Sequence, residues 1–412
     1  MIRHLLKLAW NRKRSNALLV LEIAVSFLVV FAVASVGLQF ARNARRPLGF
    51  EVRDVCVVSV RPPDRGEGNL ETTSNPAVLG GADGLASSGE VLSRLLREAR
   101  TVDGVVGVAG ATVVPYGGGT DAGTWDHDGG AVNLEFSTVT DELKDVLGLT
   151  VTRGRWFEPS DAALSWRPLV VDEEMAEAWF GEGVDPVGKD LPLLENGPET
   201  RIVGVVKDFR KRGELSPAGN FLFTRARLDD EGSRTPENLV IRLRPGLDAT
   251  FERDLVKRLQ PVAPGYVLQA SRLDQMRESS LRSMLAPLAG AGVVALFLLL
   301  MASLGLLGVL WQNVTRRTRE IGLRRAIGAS RREICKQMLL EVFLTASVGV
   351  LLGSVVVLQV PLLDVIGFFE GRVVASALLA SAAVIYAVAL ACGVYPGLLA
   401  ARVRPAEALH QE

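Results

Sequence analysis

The sequence predicts an α+β membrane protein: four transmembrane helices, with a large extracytoplasmic α+β domain between helices 1 and 2. Three observations predict it. Four long apolar runs interrupt the 412-residue chain. The stretch between the first two runs alternates strand and helix patterns. The charges cancel overall, at 46 Lys+Arg against 46 Asp+Glu, but they separate by region. A neutral total lacks the basic excess of a nucleic-acid binder. With 48% hydrophobic residues the chain has the material for a core, which disordered chains lack. Cys56, Cys335 and Cys392 form no CxxC pair, so the pattern offers no zinc site or disulfide framework.

Residues 1–16 form a basic cytoplasmic N-terminus carrying Arg3, Lys7, Arg12, Lys13 and Arg14. Helix 1 follows over 17–40, an uncharged apolar run except for Glu22. Ala32-Val33-Ala34 looks like a signal-peptidase site, but the apolar stretch continues through Val36, Leu38 and Phe40. That is too long for a typical signal h-region, and the reading is a retained anchor.

Residues 41–283 read as a folded domain. Val52–Arg61 reads as a strand, Ser87-x-x-Glu90 as a capping box opening a helix, and Val105–Pro115 as a second strand. The order returns near the far end: Asn238–Arg244, a helix holding Phe251, Leu255 and Leu259, then Tyr266–Ser271. Two βαβ units at opposite ends can close into a split βαβ, ferredoxin-like lobe. An inserted lobe of about 116–225 lies between them. It holds a short helix after Thr140, strand candidates Thr150–Arg155, Pro168–Val171 and Arg201–Phe209, and a helix capped by Asp172 and stopped by Gly181. Pro62–Ala86 reads as a surface loop.

Helix 2 is placed at 284–312, helix 3 at 338–363 and helix 4 at 373–400, separated by segments 313–337 and 364–372. Segment 313–337 carries eight Lys+Arg against two acidic residues. By the positive-inside rule it is cytoplasmic, which also places both termini, including 401–412, in the cytoplasm. Residues 41–283, with 30 basic and 38 acidic residues, fall outside.

Chemistry is sparse. No G-x-x-x-x-G-K-[ST] occurs, so the chain carries no P-loop. Gly117-Gly118-Gly119 reads as a flexible loop, and Asp121, Asp126, His127 and Asp128 beside it lack EF-hand spacing. The only histidines, at 4, 127 and 410, support no triad, and no independent enzyme is expected. Glu22 and Glu341 are the intramembrane charges. Each lies roughly 6–8 Å into its run, near the cytoplasmic interface. Gly349 and Gly353 have small-xxx-small spacing for close helix approach. Pro396 is placed to kink helix 4.

The informative segment is 313–337. Ile321, Ala326 and Ile327 share one side of a short helix, with arginines on the other. Gly328 suits a stop, and Ser330-x-x-Glu333 is a capping box opening a helix into the third span. Basic residues here suit anionic membrane lipids. A capped helix–turn–helix exceeds that need and favours docking to a partner.

The run Arg317–Ile334 (RTREIGLRRAIGASRREI) resembles the cytoplasmic segment of FtsX/MacB-like permeases of ABC transporters. Tyr395-Pro396-Gly397 through Arg402, then Arg404–Leu409, resembles that family's ending. Leu147-Gly148-Leu149, Arg153–Phe157, Asp185–Lys189 and Val203–Asp208 look like a MacB-type periplasmic core domain. The resemblance implies a four-span inner-membrane permease subunit for export of antibiotics, peptides or siderophores. A lipoprotein-releasing permease and an FtsX-like regulator of a periplasmic cell-wall hydrolase are its alternatives. MacB itself carries a fused ATPase ahead of helix 1, and here only about 16 residues stand there, so a separate ATPase subunit is expected. That subunit, in two copies, would bind ATP and Mg, and this chain no cofactor. The other implied partners are a second permease chain, identical or a sister, and possibly a periplasmic adaptor with an outer-membrane channel. The expected ATPase-coupling residues are Arg316, Arg319, Glu320, Ile321, Arg324, Arg325, Ala326, Gly328, Ser330 and Glu333.

Overall fold

A computed structural model describes residues 13–62, 86–127, 130–191, 199–217, 219–228, 234–316, 323–324, 327, 330–362 and 371–402. The chain divides into two compact units, Asn43–Ser283 and the combination of Met1–Arg42 with Met284–Glu412.

The first unit is built on one mixed ten-stranded sheet. Its strands are β1 (Val55–Arg61), β2 (Val105–Ala111), β3 (Ala122–His127), β4 (Gly130–Val139) and β5 (Val151–Gly154). The others are β6 (Arg167–Asp172), β7 (Thr200–Val206), β8 (Phe221–Arg225), β9 (Asn238–Leu243) and β10 (Val267–Arg272). They lie in the order β10-β1-β9-β2-β4-β8-β6-β7-β5, with β3 paired to β4. The first four, all antiparallel, are the expected split βαβ lobe. Helices α2 (Ala86–Arg100) and α5 (Ala249–Leu259) cover one of its faces.

Strand alternation explains the layers. Cys56, Val58 and Val60 of β1, with Leu239, Ile241 and Leu243 of β9, join Leu92, Leu95 and Leu255 of α2 and α5 in one core. The intervening Val55, Val57 and Val240 face the opposite side. There they meet α3 (Leu143–Leu147) and an aromatic group of Phe50, Trp156, Phe157, Phe209, Phe221 and Phe223. In the inserted half, Val170, Phe221 and Phe223 belong to that second core. Leu169, Val171 and Leu222 face α4 (Glu173–Phe180) on the other.

The sequence reading anticipates two lobes, and the structure joins them in one sheet. The seam is β2–β4, where a single residue pair, Ala111 with Val139, carries the ladder. Hydroxyls extend it: Ser137 Oγ accepts from Val113 N at 3.0 Å, Thr112 Oγ1 from Thr138 N at 3.0 Å, and Thr140 Oγ1 from Gly110 N at 3.0 Å. Three strands go unanticipated. The stretch after the glycine run, read as a solvated acidic loop, is β3 of the β3–β4 hairpin, and β8 is a short apolar run. Helix α2 starts at Ala86, so Ser87 lies inside it, and Glu90 bonds Arg94 one turn on at 2.5 Å.

Among the described residues, four helices are long and apolar enough to cross a membrane. They are α1 (Lys13–Asn43), α6 (Leu273–Arg316), α7 (Arg331–Leu362) and α8 (Gly371–Arg402). Helix α6 has 44 residues and begins before its apolar run. Its first turns carry Asp274, Arg277, Glu278 and Arg282, which hide the helix start from a search for uncharged stretches. Helix α8 continues past Pro396 to Arg402.

In the membrane unit Leu19, Ile23 and Phe27 of α1 pack with Leu306 and Leu310 of α6, Val342 and Ala346 of α7, and Ile385 and Ala389 of α8. Small residues set the approach. A Cβ on Gly349 would stand 2.6 Å from Ile23 Cγ2 and 3.2 Å from Val20 O, and one on Gly353 would stand 2.4 Å from Phe27 Cδ1. The small-xxx-small pair is thus used inside the chain, between α7 and α1.

The α7–α1 contact and a buried carboxyl of the sheet unit each set an expected outcome. Gly349→Val should cost about 1–3 kcal/mol through overpacking and lower the melting temperature of the detergent-solubilised chain. Gly308→Val, where a Cβ meets nothing within 4 Å, should leave it nearly unchanged. The second concerns Asp172, 1% exposed. Its Oδ1 accepts from Met175 N at 2.9 Å and from Phe221 N at 3.1 Å, joining α4 and β8. Asp172→Ala orphans both donors and should destabilise by about 1–3 kcal/mol per unpaired group, measured by denaturant unfolding. Asp172→Asn keeps an oxygen for both. Burial pushes the Asp172 carboxyl well above its usual value. The group therefore contributes most below the unfolded carboxyl's titration range, and that contribution is lost as pH rises through the raised folded value. Asp172→Asn should remove this pH dependence.

Candidate functional site

Two places hold the residues that matter: the connection between α6 and α7, and the loop between β7 and β8. At the first, α6 ends at Arg316 and α7 opens at Arg331 with a reciprocal capping box. Ser330 Oγ accepts from Glu333 N at 3.3 Å, while Glu333 Oε2 accepts from Ser330 N at 2.8 Å. Ile334 and Met338 are buried with Val314 packed against them, so the first turns of α7 lie on the end of α6. Arg324 Nη1 donates to Gln337 Oε1 at 2.9 Å, tying the connection to α7. Arg319, Glu320, Ile321, Arg325, Ala326 and Gly328 lie outside the described residues.

The two intramembrane carboxylates are half-buried. Glu22 lies over Gly305 of α6, where an added Cβ would stand 2.9 Å from Glu22 Oε2. Glu341 is on α7, and its carbonyl accepts from Thr345 Oγ1 at 3.0 Å. Asp121 is paired with Arg234, and among the described residues no cluster could hold a metal ion.

The second place escapes sequence reading. Arg210 is 2% exposed; its two Nη groups bond carbonyls, while its Nε is buried without a hydrogen-bond partner. Its Nη1 donates to Asn43 O at 2.7 Å and to Arg46 O at 3.3 Å; its Nη2 donates to Glu214 O at 2.9 Å and to Ser216 O. Asn43 ends α1, so the guanidinium sits where a helix presents negative partial charge. Asn43 returns a bond, Nδ2 donating to Leu215 O at 2.9 Å. Burial, then the nearby Arg46 charge, draws the Arg210 pKa below its ordinary value. Backbone also meets backbone here: Arg210 N donates to Leu48 O at 3.1 Å. Gly49, at φ +83°, leaves no room for a Cβ against Asp208 O.

The same loop holds α6. Glu214 Oε1 accepts from Arg277 Nε at 2.7 Å, and Glu214 Oε2 from Tyr116 Oη at 2.9 Å. Burial works against the Glu214 charge, but the bonds from Arg277 and Tyr116 outweigh it and hold the carboxyl below its usual value. Burial and Glu214 together raise the Tyr116 phenol, so it stays protonated as a donor. Gly213 makes the turn at φ +91°, and the Tyr116 ring fills the space a Cβ would need. The neighbouring Lys211 is 5% exposed and bonds Glu135 at 3.1 Å. Such groups can hold and orient; none is arranged as nucleophile and base.

The core-domain motif segments also meet, around β5 and β7. Gly154 pairs Gly204, Arg155 holds the buried Asp161 at 2.6 and 2.8 Å, and Gly188 N donates to Ile202 O at 2.8 Å. They are joints of the sheet.

Comparison with known proteins agrees with this architecture. The family "MacB-like periplasmic core domain" matches residues 17–258, and "FtsX-like permease C-terminal" matches residues 292–405. The macrolide export ATP-binding/permease protein MacB 1/2 of Paracoccus denitrificans is 27% identical over 306 residues, covering 71% of this chain and 44% of that protein. The pyoverdine export ATP-binding/permease protein PvdT of Pseudomonas syringae pv. tomato is 28% identical over 273 residues, covering 64% and 40%. The chain thus spans less than half the length of these relatives. The crystal structure of the periplasmic region of MacB from Actinobacillus actinomycetemcomitans aligns with TM-score 0.36 and 17% identity, over 58% of this chain and 97% of that one. With the core-domain family covering more than half of its residues and the permease family most of the rest, the chain belongs to the MacB-like, FtsX-type ABC transporter permeases.

Proposed function

We propose that this chain is the membrane subunit of an exporter that turns ATP hydrolysis by a separate ATPase into movement of its sheet unit outside the membrane. The observation that carries the reading is the pair of family matches, one on the core domain and one on the permease segment. Segment 313–337 faces the cytoplasm by its basic charge, and residues 41–283 lie outside. Two ATPase subunits dock on that segment and on its counterpart in a second permease chain. Their closure pushes on the ends of α6 and α7, and the capping box at Ser330 and Glu333 passes the push into a helix that does not fray. Ile334 and Met338 against Val314 make the two helix ends move together. Residues Arg319, Glu320, Ile321, Arg324, Arg325, Ala326 and Gly328 form the docking surface. Relatives named for macrolide export and for pyoverdine export support the reading as an exporter, and the partners proposed for it are a periplasmic adaptor and an outer-membrane channel.

The test reconstitutes the full chain with its cognate ATPase and measures stimulation of ATP hydrolysis. Gly328→Val should reduce stimulation about tenfold, as for loss of ~1.4 kcal/mol of docking energy, while the chain still purifies as a folded species. Stimulation equal to that of the unaltered chain rejects the docking role.

A further inference from the structure

The β7–β8 loop has a property that family membership does not supply. It touches the chain where α1 ends and also where α6 begins, two points more than 200 residues apart in sequence. Arg210 and Leu215 hold Asn43, Arg46 and Leu48 on one side. Glu214, four residues on, holds Arg277 on the other. Arg210 Nη2 donates to the Glu214 carbonyl, so the two grips share one residue. Phe209 and Tyr116 back the loop, both packing on Phe50, at 5.5 and 5.9 Å between ring centroids. Every one of these residues belongs to the sheet unit.

We propose that residues 208–216 form a latch that locks the end of α1 and the start of α6 into one mechanical element, with Arg210 and Glu214 as its positioning residues. The consequence is that neither helix can move at its sheet-unit end without the other. The use of this latch in transmission rests on the function proposed above; its existence does not, because it is a property of the chain alone.

The two grips differ in kind. Arg210 is buried and gives four bonds to carbonyls, which do not titrate and have no salt-dependent partner to lose. The Arg277–Glu214 pair is partly exposed, with the arginine side chain at 46%. Its individual strength is modest. The α6 grip is therefore the weaker of the two, and the α1 grip relies on it to hold the loop in place.

Hydrogen exchange on the purified full chain in detergent, without any ATPase, tests it. Arg277→Ala removes the ion pair from the α6 side and leaves the loop sequence intact. Exchange should rise about threefold, as for loss of one partly exposed pair, in residues 273–283 and also in residues 43–50, which Arg277 does not bond. Arg277→Lys should restore most of the protection. Arg210→Met should loosen the same two segments from the opposite side. Strand β9 should keep its protection throughout. A rise confined to 273–283 in Arg277→Ala overturns the latch, and so does a uniform rise that includes β9. These outcomes are independent of the Gly328→Val result, so failure of the latch and failure of the docking role are separable.

Discussion

The sheet unit depends on one pairing, that of β1 with β10. The first strand after α1 lies antiparallel to the last strand before α6, with Cys56 opposite Arg272 and Arg61 opposite Val267. A domain inserted between two helices has to return its chain to where it left, and this pairing does so with backbone hydrogen bonds rather than loops. It also makes the split βαβ order necessary. With β1 and β10 adjacent, β9 takes the other side of β1 and β2 the outer side of β9, each by antiparallel pairing. The inserted strands attach beyond β2, where the sheet continues, and β10 stays at the edge.

That attachment is thin, and its chemistry shows why it holds. One ladder pair would be a weak seam, but backbone bonds from Thr112 N to Thr138 O and from Thr140 N to Gly110 O flank it, and Thr112, Ser137 and Thr140 add their hydroxyls. Ser137 is fully buried and Thr138 nearly so, and each finds a partner, as buried polar groups must. The aromatic group on one face then spans the seam, with Phe221 and Phe223 of the inserted half in the same core as Val55, Val57 and Val240 of the other. Two lobes with separate cores could hinge at such a seam; a shared core opposes that.

Much of this is legible in the sequence because it is periodic. Alternation in β1 and β9, the helical spacing of Leu92, Leu95, Leu96 and Ala99, and the Asp172 cap all report local geometry. Four apolar runs report the membrane helices, and Ser330 with Glu333 reports a helix start. The losses have equally physical causes. In β3 (AGTWDH) only Trp125 suggests a strand, because hairpin pairing with β4 supplies what propensity does not. In β8 the three apolar residues Phe221–Phe223 are too few to carry a period. The start of α6 is hidden by charges that a helix beyond a bilayer is free to carry. Arg210 stands in the run Arg210-Lys211-Arg212, whose three consecutive charges carry no local sign of burial, yet Arg210 and Lys211 are both buried. Only the return of the chain past Asn43 gives Arg210 its acceptors, and no local pattern encodes a partner that far away.

Why an arginine at this point, satisfied by carbonyls and not by a carboxylate? A carboxylate partner would add a second buried charge, and desolvating two ions can cost more than their attraction returns. The end of α1 supplies a cheaper counter-field: carbonyls left without helical donors, at the negative end of the helix dipole. A planar guanidinium can reach several of them at once, which an ammonium point charge cannot do with the same geometry. Here it joins the Asn43 and Arg46 carbonyls to those of Glu214 and Ser216. The bond set is thus a cap for α1 and a closure for the loop in the same atoms. Replacing the arginine by a neutral residue would take the guanidinium donors from all four carbonyls at once, leaving Asn43 O with the bond from Arg46 N and the loop carbonyls facing it. Repulsion between like dipoles would then open the junction that the arginine closes, so the charge is needed for the geometry and not merely accommodated by it.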